Sequence, residues 1–231
     1  LKNNLKFLSS NEKIHITGDS RIDQVIERKN ENQNDLLPII YKKSNTIIFG
    51  SIEPTYNELL FSSLKEFYPN GDKDLENKNH CLIIVPHEIF PKNINEIYEK
   101  LIKLKLNPVY YNDKSNLNES RTVIINTVGL LADLYKYSDL AYIGAGFDGG
   151  VHSVIEPMIY ANAISFGPNY QIVDMAVNLA KLKLAKIIIT QNDFTSFLDL
   201  INNKKILTKI KNLMEIFARE QTQSSKNIIN K

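Results

Sequence analysis

Leu140-Ala141-Tyr142-Ile143-Gly144-Ala145-Gly146-Phe147-Asp148-Gly149-Gly150-Val151-His152-Ser153-Val154-Ile155-Glu156-Pro157 is the stretch on which the fold turns. Its four leading apolar residues read as a buried strand, and Val154 to Tyr160 as the first turns of a helix. The glycine-rich turn between them leaves backbone N–H groups unshielded beside a helix N-terminus, where partial positive charge favours a phosphate. His152 and Glu156 are four apart and are expected on one helix face. There the imidazole suits phosphate oxygens and the carboxylate suits ribose hydroxyls. The spacing is not GxGxxG, and the glycines alone favour an ordinary strand-to-helix turn with a polar cap; His152 and Glu156 are what point to a site.

Working outward, strand and helix signals alternate. Ile14 to Thr17, Thr46 to Gly50, Cys81 to Val85, Val109 to Tyr111, Thr122 to Ile125, Ala163 to Phe166 and Lys186 to Thr190 read as further strands. Helices are expected over Pro54 to Phe67 and Leu130 to Tyr137, through Ile94, Ile97, Leu101 and Leu104, and through Ile206, Ile210, Leu213 and Phe217. Lys29 to Asn34 reads as a solvated connector and Tyr68 to Asn79 as a polar loop. Apolar strands with little alternation, most followed by a helix, predict an α/β fold: a Rossmann-like parallel sheet covered by helices on both faces.

Ligands of such sheets sit beyond the carboxyl ends of the strands. Gly50-Ser51, Pro86-His87-Glu88, Asn126-Thr127, Gly144 to Glu156 and Gly167-Pro168 all follow strands and are expected to crowd one rim. This convergence says more than any single motif.

Composition narrows the function. The chain has 231 residues, 43% hydrophobic and 23% charged, enough for one large domain or two small ones. Its 28 basic and 26 acidic residues leave a net charge of +2 with no basic stripe, so no nucleic-acid partner is expected. The single cysteine, Cys81, excludes an intrachain disulfide and a multi-cysteine metal site, and reads as a small buried hydrophobe. No run reaches the length of a membrane span and no signal peptide is visible. The chain opens at Leu1 in helix-like polar sequence, so it is read as a soluble piece of a longer protein.

Thr17-Gly18-Asp19-Ser20-Arg21-Ile22-Asp23, Gly50-Ser51, Val85-Pro86-His87, Thr127-Val128-Gly129 with Leu131 and Tyr135, Gly144 to Pro157, and Phe166-Gly167-Pro168 occur in the order seen in bacterial Kdo transferases. The resemblance covers nearly all of the chain but only the carboxy-terminal half of that family. It implies the C-terminal domain of a GT-B fold, binding CMP-Kdo and transferring 3-deoxy-D-manno-octulosonic acid (Kdo) to a lipid A precursor in lipopolysaccharide biosynthesis. It further implies an inverting enzyme that needs no metal or other cofactor, at the cytoplasmic face of the bacterial inner membrane. Residues 1–19 would be a linker from a missing amino-terminal domain, 20–219 the donor-binding domain, and 220–231 a tail crossing back. The catalytic base, the acceptor site and the membrane surface belong to the missing half, so this piece alone is expected to be inactive. The implied donor-binding residues are Ser51, His87, Thr127, Val128, Gly129, Gly146, Gly149, Gly150, His152, Ser153 and Glu156.

The family pattern carries over unevenly. Ser153 stands where the family usually has Asn, keeping helix-capping ability. The frequent Pro-Arg-His appears as Pro86-His87 without the Arg, a natural guanidinium clamp for an anionic donor. Simpler roles compete at each position. His87 would otherwise cap the helix from Pro91, Ser51 the helix from Pro54, and Thr127 the helix toward Tyr135. Arg21 and Asp23 would form a local ion pair, Glu88 would be a solvated helix-start charge, and Asp148 is expected to face solvent. Asp72-Lys73-Asp74 precedes a strand and is expected far from the rim. The other classes are a different GT-B enzyme, such as a UDP-sugar transferase or a nucleotide-sugar 2-epimerase, and a non-catalytic nucleotide-binding module.

Overall fold

The computed structural model describes residues 19–31, 34–53, 58–147 and 149–222. Within them, α1 is Ser20–Glu31, α2 Ile39–Lys43, β1 Asn45–Ile52, α3 Glu58–Phe67, α4 Asp72–Lys78, β2 His80–Pro86 and α5 Pro91–Lys103. Then come β3 Pro108–Tyr110, β4 Thr122–Ile124, α6 Leu131–Leu134 with a 3-10 turn at Tyr135–Tyr137, β5 Leu140–Ile143, α7 Ile155–Ile159 and β6 Ala163–Phe166. The chain closes with α8 Asp174–Lys181, β7 Ala185–Ile187, α9 Gln191–Leu198, a 3-10 turn at Asp199–Asn202 and α10 Lys204–Glu220.

All seven strands pair in parallel, in the order β3-β4-β2-β1-β5-β6-β7. Successive strand residues point to opposite faces, and both faces are apolar. Ile48, Cys81, Ile83, Ala141 and Ile143 enter one core with α1, α7, α8 and α10. Ile47, Phe49, Leu82, Ile84 and Tyr142 enter the other with α3, α5 and α9. The fold class expected from the sequence is the one observed. The chain runs from β1 to β2, out to the edge strand β3, back to β4 between them, and then crosses to β5 on the other side. The strand order therefore reverses between β1 and β5, and in such sheets the ligand crevice lies beyond the carboxyl ends at that point.

Several local expectations are corrected. Tyr68 to Asn79 is not a loop throughout: α4 occupies Asp72–Lys78, with Asp72 and Asp74 in its first turn and Asn79 left-handed at its end. Lys29–Glu31 form the last turn of α1 rather than a connector. On α10 the buried face is Met214, Phe217 and Ala218, while Ile206 and Leu213 are exposed. Arg21 pairs with Asp19 at 2.6 Å, not with Asp23 as expected. The expected strand at Ile14 to Thr17, the helix start at Pro54, the side chain of Asp148 and the tail beyond Thr222 lie outside the described residues. Among the described residues no helix is long and apolar enough to cross a membrane.

At the amino edge, His80 is buried at the start of β2, with Tyr68 Oη 2.9 Å from its Nδ1 and the Phe67 ring stacked alongside. Burial, reinforced by Lys78 and Arg121, pushes its pKa from 6.5 down to about 4. The unfolded chain therefore takes up this proton first, so the contribution of neutral His80 is complete above pH 6.5 and is lost as pH falls through about 4. Melting temperature measured between pH 7 and 4 should fall more steeply for the parent than for His80→Gln. Parallel curves would show that His80 does not titrate between those limits.

Candidate functional site

The crevice is built by close backbone approach. Gly144 N–H donates to Gly50 O at 2.7 Å, and a Cβ on Gly144 would lie 2.0 Å from Ser51 O. Ser51 itself sits at φ 54 within a register irregularity of β1, a device that re-aims side chains at sheet edges. His87 N–H donates to Ile52 O at 2.8 Å, so the exits of β1, β2 and β5 are tied together.

Beyond Gly144 the loop is laced to the exit of β6. Asn169 N–H donates to Gly146 O at 2.8 Å, Asn169 Nδ2 to Phe147 O at 2.5 Å, and Val151 N–H to Asn169 O at 3.1 Å. Gly146, at φ +81, lies against Gly167, where each would meet the other's backbone through a Cβ. Among the described residues, the N–H groups of Gly149, Gly150, His152 and Ser153 find no protein acceptor. They form an array of donors at the mouth of the crevice.

His152 and Glu156 do not share a helix face. Helix α7 begins only at Ile155, so His152 lies in the preceding loop and the four-residue spacing does not align the pair. The His152 ring stacks on His87, with centroids 4.4 Å apart and planes inclined by 26°. Its Nε2 is buried and has no hydrogen-bond partner among the described residues. Burial first, and His87 second, lower the His152 pKa below its usual value, with Glu53 opposing them. The neutral ring is therefore favoured until an anion arrives to offset the charge.

Glu156 faces a different neighbourhood. It lines a pocket of about 260 Å³ with Arg21, Gln24, Arg28, Ala132 and Ser153. Ser153 Oγ donates to its carboxylate at 2.5 Å and accepts from the Ile155 N–H at 3.4 Å, so Ser153 both orients Glu156 and satisfies the first amide of α7, whose N-cap residue Val154 makes no side-chain bond. Arg28 donates through Nε and Nη2 to the buried Asp133 carboxylate at 3.0 and 2.7 Å, and Nη2 also reaches Gly129 O at 3.1 Å. This clamp fixes the loop after β4, where Val128 is 71% exposed and Gly129 has φ +83. Thr127 caps no helix: its Oγ1 donates to Asn112 Oδ1 at 3.0 Å, and α6 has no side-chain cap. His87 likewise does not cap α5, whose N-cap is Phe90.

Ser51, His87, Thr127 to Gly129, Gly146 and Gly149 to Glu156 thus all stand at the carboxyl rim, divided between a histidine–amide mouth and a glutamate pocket. Asp72 stands at the opposite edge, its N–H donating to Lys105 O ahead of β3. Arg28 and Asp133 escaped the sequence reading. The only signal for them is an arginine and an aspartate 105 residues apart, with no motif to join them.

No family model matches the chain. It is 23% identical over 203 residues to a 3-deoxy-D-manno-octulosonic acid transferase of Chlamydia trachomatis, covering 85% of this chain and 44% of the relative. A Rickettsia bellii enzyme of the same name is 24% identical over 190 residues, covering 80% and 43%. The chain therefore spans less than half the length of these relatives. Among solved structures, the C-terminal CMP-Kdo binding domain of WaaA from Acinetobacter baumannii superposes with TM-score 0.61 at 15% identity, over 90% of this chain and 96% of that one. WaaG, a glycosyltransferase involved in lipopolysaccharide biosynthesis, gives 0.55 at 11% identity over 95% of this chain and 51% of its own. The fold is that of the C-terminal domain of a GT-B glycosyltransferase, and the chain is similar to the carboxy-terminal half of Kdo transferases.

Proposed function

We propose that this chain is the donor-binding half of a Kdo transferase, taking CMP-Kdo as donor for transfer to a lipid A precursor in lipopolysaccharide biosynthesis. The acceptor, the catalytic base and the contact with the cytoplasmic face of the bacterial inner membrane belong to the amino-terminal half. One observation carries the reading: free loop amides, a stacked histidine pair and a carboxylate pocket converge where the strand order reverses.

As the glycosidic bond breaks, the departing CMP phosphate gains negative charge. The loop N–H groups and the His152 edge would stabilise that charge more in the transition state than in the ground state. With only five residues, α7 offers little dipole, so the loop amides and imidazoles do this work instead. They also stand where the family's arginine is missing beside His87. In the adjoining pocket, Glu156 would accept hydrogen bonds from the ribose hydroxyls, held in place by Ser153. No metal or other cofactor enters this scheme.

Calorimetry with CMP and UMP tests the reading. CMP should bind in preference to UMP, and Glu156→Gln should weaken CMP by about 1.5–3 kcal/mol, the range for a hydrogen bond to a charged group. Glu88→Gln, on the exposed loop before α5, should leave it unchanged. Equal losses in the two variants, or preference for UMP, would defeat the assignment.

A further inference from the structure

We infer that Tyr135 sets the sugar specificity of this crevice, its phenol donating to a ribose hydroxyl that donates in turn to Glu156. This rests on the donor reading above. Tyr135 is 2% exposed, yet its Oη has no hydrogen-bond partner among the described residues. The bonds that do reach Tyr135, from Ser138 and Asn162, end on its backbone oxygen. A buried donor without an acceptor is costly and calls for an acceptor from outside the chain.

The hydroxyl lies where the strand order reverses. Residues of β1 alternate between the two cores, so Gly50 faces the same side as Ile48 and Tyr135. A Cβ on Gly50 would stand 2.7 Å from Tyr135 Oη and 3.1 Å from Leu131 Cδ1. Gly50 O is also the acceptor for the Gly144 N–H, so the phenol sits at the join of β1 and β5. Glu156 approaches from the other connection. Tyr135 shares a core with Val154 and Ile155, which lead into Glu156, and Leu131 precedes Ala132 in the wall of the glutamate pocket. Burial first, and the Glu156 charge second, raise the phenol pKa above its ordinary value, so it stays a donor. An oxyanion between the two would be repelled by Glu156, whereas a hydroxyl both donates and accepts. A nucleotide lacking that hydroxyl would leave the carboxylate and the phenol unpaired, the arrangement that discriminates most strongly.

Calorimetry of residues 1–231 with CMP, 2′-deoxy-CMP and 3′-deoxy-CMP, alongside urea denaturation, tests this. The parent should bind one of the deoxynucleotides at least about tenfold more weakly than CMP. Tyr135→Phe should weaken CMP about fivefold, as for a lost neutral hydrogen bond, and leave that deoxynucleotide at its parental affinity. Its urea midpoint should not fall, because the hydroxyl removed has no partner among the described residues. A merely structural tyrosine predicts the reverse, a lower midpoint with equal changes for every ligand. That result, deoxynucleotides bound as tightly as CMP by the parent, or CMP bound as tightly by Tyr135→Phe as by the parent would overturn the inference and leave the donor reading standing. A parent that binds no CMP would defeat the donor reading and this inference with it.

Discussion

Gly144→Ala is expected to destabilise the protein by about 3 kcal/mol or more, beyond the usual cost of overpacking because neither partner is a side chain. The added Cβ would lie 2.0 Å from Ser51 O and 2.6 Å from Ser51 C. Neither atom can rotate away. Ser51 already holds a left-handed conformation, and the Gly144 N–H bond to Gly50 O fixes the separation of the two strand ends. Relief would require parting β1 from β5 at the point where the crevice opens. Gly149→Ala is the control, since among the described residues nothing lies within 4 Å of its added Cβ; it should stay within about 0.5 kcal/mol of the parent. Urea denaturation of both variants decides the matter. A Gly144→Ala protein as stable as the parent would mean that the strand ends are not held this closely.

The clamp between α1 and α6 should respond asymmetrically to truncation. Arg28→Ala leaves the Asp133 carboxylate buried without its partner and should cost about 3–5 kcal/mol, the range for breaking a buried pair. Asp133→Ala leaves a guanidinium whose side chain is already 48% exposed and can take up water in its place. Its cost should be lower, about 2 kcal/mol, close to that of lost charged hydrogen bonds. Removing the more exposed member is thus the more damaging change. Equal losses in denaturant titrations would indicate that the carboxylate gains a proton or water once the arginine is gone.

The central strands were legible because burial on both faces leaves an uninterrupted apolar run. Leu140–Ile143 and Ala163–Phe166 have in the structure the bounds read from the sequence, each closed by glycine. The elements that escaped are those with little buried surface. In α4 only Leu75 is buried, so it carries no apolar period to count, and in α1 the period is a single turn, Ile22 with the half-buried Val25 and Ile26. The face of α10 was misjudged for the opposite reason. Ile206, Leu213 and Ile216 are apolar yet exposed, and periodicity cannot tell which of two stripes meets the core.

The site divides in the same way. Residues following strands could be placed on one rim by topology alone, without knowledge of any side-chain contact. How they group within that rim could not. The i, i+4 rule joined His152 to Glu156, but it applies only inside a helix, and the chain is not helical until Ile155. His87 meets His152, and Arg28 meets Asp133, only through the packing of separate connections.

Asn169 gives the glycine loop a property that its own residues do not. With one side chain and two backbone groups it binds Gly146, Phe147 and Val151, so the exits of β5 and β6 behave as a single laced piece. The loop is therefore not a portable cassette. A Gly144 to Glu156 segment transplanted into a related scaffold would arrive without its lacing unless the residue at the other exit came with it. Divergence between relatives is constrained likewise, and the two connections are expected to be inherited, lost or rewritten together.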